Sequence, residues 1–185
     1  MQSSTIKPYR NRRNFLRIIF AFALATGSGS AWGQMPLPDP DLDLLTNGIV
    51  DSMVRQADGA LVIAGYFTSI NGVPRHGLAR LRPDRSLDLD WDPSPNYWAS
   101  ALAIDGNGNL YIGGNFTTIS GAPHQSLVRM LGTSAVVDPN WTVCCANGEA
   151  VVAIAIDANW LYAAGYLGGR NLERFPITDA TSLTP

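Results

Sequence analysis

The only two cysteines of the chain, Cys144 and Cys145, are adjacent, so they cannot crosslink distant segments. An adjacent pair can form a strained vicinal disulfide, stay reduced, or bond to another molecule. It makes a poor zinc site, because no further Cys or His follows at metal-site spacing. We interpret the pair as part of a loop, with a structural or incidental redox role.

Oxygen-bearing side chains alternate with glycine at Asp105, Asn107 and Asn109, as they do in many calcium loops. The spacing does not fit an EF-hand, because Leu110 stands where the motif needs Gly and Phe116 where it needs Glu. A tight hairpin turn explains the same letters. A different calcium site at these three residues stays open, and no other cofactor is predicted.

No combination of residues predicts catalysis. His76 and His124 occupy different positions of the repeat described below, and neither has an evident carboxylate partner in sequence. No serine lies in a nucleophile-elbow setting. Four indole rings could stack on sugars, namely Trp91, Trp98, Trp141 and Trp160, but the first and third recur at the repeat spacing, as core residues do.

The first 33 residues predict a secretory signal peptide. A basic head precedes an apolar run at residues 18–26, and a small-residue tail ends at Gly33. The run is too short to span a bilayer, although a membrane anchor is the alternative. The head NRRNFLR resembles a twin-arginine export signal, and an ordinary Sec signal explains it as well. We therefore expect an exported protein that is periplasmic, extracellular or on the cell surface, by either route.

The net negative charge of the chain argues against anionic partners. Eight basic and 15 acidic residues follow Gly33, a formal charge of −7. Such a chain has no electrostatic footprint for nucleic acid and would be repelled by anionic lipid. We expect no transmembrane helix after the signal peptide and a partner that is an unidentified protein or glycan.

An internal repeat supplies the elements that position these residues. IAGYFTSINGVPR at residues 63–75 returns as IGGNFTTISGAPH at residues 112–124, a spacing of 49. The repeats predicted from it span residues 47–95, 96–146 and, shortened to LGGR at the corresponding corner, 147–185. Residues 34–46 resemble the end of a repeat. The recurring residues are Gly65, Phe67, Gly72, Arg80 and Trp91, then Gly114, Phe116, Gly121, Arg129 and Trp141, and Gly165 in the third copy.

We assign these recurring residues to the fold, because a repeating residue must serve every copy. Glycines would allow positive φ, phenylalanines would fill the core, and the recurring arginines (Arg80, Arg129 and Arg174) would pair with aspartates such as Asp88. An anion-binding ring of arginines is the alternative. Each copy predicts four short antiparallel strands, the last being SLDLDW at residues 86–91 with Asp outward and Leu inward.

The segment QADGALVIAGYFTSINGVPRHGLARLRPDRSLDLDWDP resembles the delta-60 repeat of bacterial secreted proteins. The family is predicted to form β-propellers, so the resemblance implies an all-β chain of about three four-stranded antiparallel blades. A closed ring typically needs 4 to 8 blades. We therefore expect an incomplete propeller, either a fragment or an open arc that self-associates.

Together these features predict an exported, non-enzymatic β-propeller repeat protein that acts as a binding scaffold. The competing hypothesis is part of a propeller enzyme, either a quinoprotein-like dehydrogenase or a glycan-processing enzyme. Its support is the cysteine pair, because propeller quinoproteins can carry an adjacent-cysteine disulfide. We expect binding residues where the copies differ: at the cysteine pair, around His76 and His124, and at residues 167–170.

Overall fold

The computed structural model describes residues 44–142 and 148–178. The predicted signal peptide, the segment up to residue 43 and the cysteine pair lie outside the described residues. Within those residues the chain is all-β and antiparallel, as predicted, and contains no helix.

Three units of paired strands follow one another, which we call blades 1, 2 and 3. Blade 1 contains β1 (Ile49–Arg55), β2 (Leu61–Tyr66), β3 (Ser69–Ile70), β4 (Val73–Pro74) and β5 (Leu78–Leu81). Blade 2 contains β6 (Ala99–Ile104), β7 (Leu110–Gly114), β8 (Thr118–Ile119), β9 (Ala122–Pro123) and β10 (Leu127–Met130). Blade 3 contains β11 (Ala150–Ile156), β12 (Trp160–Leu167) and β13 (Arg170–Pro176).

Each blade is built around its second long strand. In blade 1, β2 lies between β1 and β5; in blade 2, β7 lies between β6 and β10; in blade 3, β12 lies between β11 and β13. A single pair, Gly65 with Ala99, joins β2 to β6 at one end of the strands. Strand β6 also packs against β1, and β11 packs against β6 and β7, so the blades stack on one another.

In blades 1 and 2 the expected fourth strand is reduced to one bridge each, Leu81 with Leu87 and Met130 with Val137. The predicted alternation is also wrong there, because Asp88 is buried (5% exposed) while Leu89 is 63% exposed. The reason is electrostatic: the Asp88 carboxylate accepts hydrogen bonds from Arg80 at 2.6 Å and Arg82 at 3.0 Å. These charge-assisted bonds decide which side chain faces inward.

Hydrophobic clusters fill the space between neighbouring blades. Phe116 and Trp91 belong to the cluster between blades 1 and 2, and Trp141 belongs to the one between blades 2 and 3. Phe67 lies in a third cluster, on the other face of blade 1. The rings assigned to the core from their spacing are therefore buried.

A β-bulge recurs at the start of the first strand of each blade. The register shifts after Val50, Ala99 and Val151, and a glycine lies opposite each shift. A Cβ on Gly65 or Gly114 would lie 2.1 Å from a backbone carbonyl oxygen of the neighbouring strand. These two glycines therefore serve close approach of the backbone rather than the positive φ expected of them. Gly72 and Gly121 do have positive φ, 79° and 75°.

Candidate functional site

The repeated outer corner of blades 1 and 2 is held together by its own hydrogen bonds. The Asn96 side-chain oxygen accepts from the backbone N–H groups of Thr117 (2.9 Å) and Thr118 (3.0 Å), and its nitrogen donates to the Thr117 hydroxyl. Asn47 makes the same contacts in blade 1. The sequence predicts no role for either asparagine, although both stand at the repeat spacing. The polar groups of this corner therefore form hydrogen bonds with one another.

The recurring arginines lie next to aspartates in two blades. Arg80 donates to Asp88, and the Arg129 Nε atom donates to the buried carboxylate of Asp138 at 2.8 Å. Burial acts to raise the pKa of Asp88, but the hydrogen bonds from Arg80 and Arg82 outweigh it and hold that pKa below its ordinary value. In blade 3, Arg174 instead lies over the Trp160 ring, 4.4 Å from its centre.

The Asp105 carboxylate is fully engaged by the hairpin turn. Its Oδ1 accepts from the N–H groups of Asn107 and Asn109 at 2.9 Å, and its Oδ2 accepts from the Asn109 amide and the Tyr111 hydroxyl. Burial is the main cause that raises the pKa of Tyr111 to about 12. A calcium ion would have to displace these bonds. Among the described residues, no three His, Cys, Asp or Glu side chains are grouped as a metal would require.

One histidine lines a shallow cleft of about 420 Å³ on blade 2. His124 lies there with Ser94, Ser120 and Asp92, whereas His76 is exposed and does not line it. Asp92 is paired with the buried Arg75 at 3.3 Å. The structure therefore does not bring the two histidines together in this cleft. The Asp92 carboxylate, which also lines the cleft, is already paired with Arg75.

The shortened corner of blade 3 is a tight hairpin. Gly168 and Gly169 both have positive φ and connect Leu167 to its pair Arg170, as a two-residue hairpin loop requires. A second shallow cleft of about 370 Å³ lies beside it, lined by Tyr166 and Arg170 among others. Tyr166 is 75% exposed.

A group of aromatic rings lies where blades 1 and 2 meet, and we call it the aromatic platform: the exposed Tyr66 and Tyr97 and the partly buried Trp98. Tyr66 ends β2 and Trp98 immediately precedes β6, so the Gly65–Ala99 pair places them side by side. Their rings stack with centres 3.9 Å apart, and the Tyr97 ring lies 5.4 Å from that of Trp98. Tyr66 is 49% and Tyr97 47% exposed.

An unpaired carboxylate accompanies the platform. Asp51 occupies the bulge of β1 opposite Gly65, and within the described residues its side chain makes no hydrogen bond or ion pair. It is exposed, yet neighbouring atoms displace part of its hydration and raise its pKa. Partial desolvation also raises the pKa of Tyr66, with further contributions from Tyr97 and from the charge of Asp51.

Of the residues at the platform, the sequence pointed to Trp98 and to neither tyrosine nor Asp51. The sequence feature that could have identified Tyr66 and Asp51 is that their positions hold different residues in the other repeats. Asp51 is replaced at the bulge by Ser100 and Val152, and Tyr66 by Asn115 in blade 2. Only the pairing of β2 with β6 shows that these differing positions lie together.

Residues 56–90 match a family model described as "Domain of unknown function (DUF5122) beta-propeller". No curated protein and no solved structure matches the chain. Across residues 44–142 and 148–178, no helix is long and apolar enough to cross a membrane. The family match, which falls within the first repeat, and the all-β fold together support a β-propeller repeat protein.

Proposed function

We propose that the protein is an exported, non-enzymatic β-propeller scaffold that binds a partner through the aromatic platform. The observation that carries this proposal is the platform itself: two half-exposed tyrosine rings, one of them stacked on the partly buried Trp98, beside a carboxylate without a partner among the described residues. We place the protein in the periplasm, outside the cell or at the cell surface, because of the predicted signal peptide.

Exposed tyrosine and tryptophan rings suit binding for two reasons. They offer a large apolar area with little side-chain entropy to lose, and such residues dominate the energetics of protein interfaces. Here the rings are also held in place before any ligand arrives, since Tyr66 and Trp98 already stack and each adjoins a paired strand residue. Such preorganisation lowers the cost of binding.

The backbone beneath the platform is built to stay rigid. Gly65 lets β1 approach closely at the bulge, and Gly114 does so where β7 meets Trp98. The Asn115 N–H donates to the Trp98 carbonyl at 2.9 Å. Repeated residues therefore hold the backbone, while the side chains above it differ from blade to blade.

The test is a binding screen of the purified full chain against an array of neutral oligosaccharides and an array of peptides of varied charge. We expect binding to one class that falls about tenfold in Trp98→Ala, the loss of one stacking or cation–π anchor. Trp160→Ala, which removes an indole on blade 3, is the matched control and should bind as the unchanged protein does. Tyr97→Ala, which removes a half-exposed ring, repeats the test if Trp98→Ala does not fold. Binding that survives both platform variants, or no binding to either array, would overturn the proposal.

A further inference from the structure

We infer that the ligand of the aromatic platform is a basic peptide segment of a partner protein, with an arginine or lysine side chain lying on the rings and its charge at Asp51. This inference rests on the proposed function and adds the chemical class of the partner.

The rings supply the first half of the complementarity. The face of an aromatic ring is electron-rich and attracts a cation within about 6 Å of its centre. Tyr66 and Tyr97 present half of their surfaces to solvent. The long aliphatic stem of an arginine or lysine would cover the rest of this apolar surface while its head stays near the edge.

Asp51 supplies the second half. Four other aspartates of blade 1 pair with arginine: Asp58, Asp88, Asp90 and Asp92. Asp51 has no such partner among the described residues, so the chain brings no cation of its own to the platform. A partly desolvated carboxylate beside electron-rich rings is a better site for a cation than for a neutral or anionic group.

The bulge does not need an acid at this position, because Ser100 and Val152 occupy it in the other blades. The charge of Asp51 is therefore not explained by the fold. A sugar would use the rings as well, but it also needs several directed polar groups around the ring face. The platform offers two phenol hydroxyls and one unpaired carboxylate, a set that one positive charge satisfies best.

Charge on the rest of the chain acts in the same direction. The residues after the predicted signal peptide carry a formal charge of −7. Such a field attracts basic segments and speeds their encounter with the platform at low ionic strength.

The test measures binding of three probes to the full chain by calorimetry at millimolar concentration. The probes are an arginine- and lysine-containing hexapeptide, the same peptide with serine at the basic positions, and a neutral oligosaccharide. Asp51→Asn removes the charge at the platform, and Asp90→Asn, which removes an exposed charge elsewhere on blade 1 (its side chain is 91% exposed), is the matched control.

We expect the basic peptide alone to bind, and Asp51→Asn to weaken it about tenfold while Asp90→Asn changes the affinity by less than about twofold. Equal weakening in both variants would overturn the inference, because attraction would then be general to the acidic surface. Binding of the oligosaccharide but not the basic peptide, lost in Trp98→Ala, would overturn the inference and keep the proposed function. If none of the three probes binds, the inference is overturned, and the array screen then decides the proposed function by itself.

Discussion

Asp51 and Asp88 belong to the same blade and have opposite surroundings. Asp88 is 5% exposed and held by Arg80 and Arg82, which keep its pKa low against the effect of burial. Asp51 is exposed and unpaired within the described residues, and loss of hydration raises its pKa. The difference separates two roles of aspartate in this blade. Asp88 forms ion pairs that stabilise the fold, whereas Asp51 has no internal partner in the described part of the chain and is available to bind a ligand.

The equivalent positions in the other blades also differ between the paired and the unpaired aspartate. The counterpart of Asp88 in blade 2 is Asp138, which is buried and paired with Arg129. The counterparts of Asp51 are Ser100 and Val152, which cannot pair with a cation in the same way. The recurring arginine–aspartate pairs of blades 1 and 2 are satisfied inside the molecule, and the positions around the platform differ from copy to copy.

The largest expected effect comes from breaking a recurring pair. Arg129→Met leaves the Asp138 carboxylate buried, since only 3% of its side chain is exposed. We expect the free energy of unfolding to fall by about 3 to 5 kcal/mol, the usual result of removing one partner of a buried pair. Unfolding in urea, followed by tryptophan fluorescence, measures the change.

The matched control is Arg170→Met, because the Arg170 side chain is 77% exposed and its ion pair with Glu173 involves no fully buried carboxylate. We expect a loss of no more than about 1 kcal/mol, as for surface ion pairs. If the two variants lose similar stability, buried and exposed pairs do not differ here and the comparison fails.

The next largest effect is expected at a bulge glycine. Gly114→Ala would place a Cβ 2.1 Å from the Trp98 carbonyl oxygen, so the backbone of β6 has to move. We expect a loss of about 3 kcal/mol, the upper part of the range for overpacking. Gly106→Ala is the control, because nothing lies within 4 Å of its added Cβ. A thermal unfolding scan of both variants checks the prediction, and unchanged melting of Gly114→Ala would show that the close approach is not needed.

The sequence alone predicted the fold class, since the 49-residue repeat and its hairpin turns require no knowledge of distant contacts. It also pointed to Arg80 pairing with Asp88, because both lie in one repeat. It was wrong about residues 86–91, where alternation predicts a strand but arginine contacts turn Asp88 inward. Strand periodicity carries no information about such ion pairs.

The aromatic platform could not be predicted in the same way. Tyr66 and Trp98 lie in different repeats, and only the pairing of Gly65 with Ala99 brings them into contact. Trp98 is one of four tryptophans that could stack on sugars, and nothing in the sequence distinguishes it as a binding residue. The expected site at the cysteine pair lies outside the described residues, and the role of that pair stays a prediction.

The smallest expected effect, and the most direct test, is the stability of Asp51→Asn. A pKa raised above its ordinary value of 3.8 means that ionised Asp51 destabilises the fold, a cost that appears as pH rises through 3.8 towards the folded-state pKa. Asp88 has the opposite sign: its lowered pKa stabilises the fold above 3.8, and this contribution is lost as pH falls.

The decisive measurement is therefore the urea midpoint of Asp51→Asn against the unchanged chain, at pH 7 and again below pH 3.8. We predict an equal or higher midpoint for Asp51→Asn at pH 7 and no difference at the lower pH, with Asp88→Asn showing a lower midpoint at pH 7. Such a result means that the fold gains nothing from the Asp51 charge, as expected of a binding residue. A lower midpoint for Asp51→Asn at pH 7 would place Asp51 in the scaffold and contradict the account.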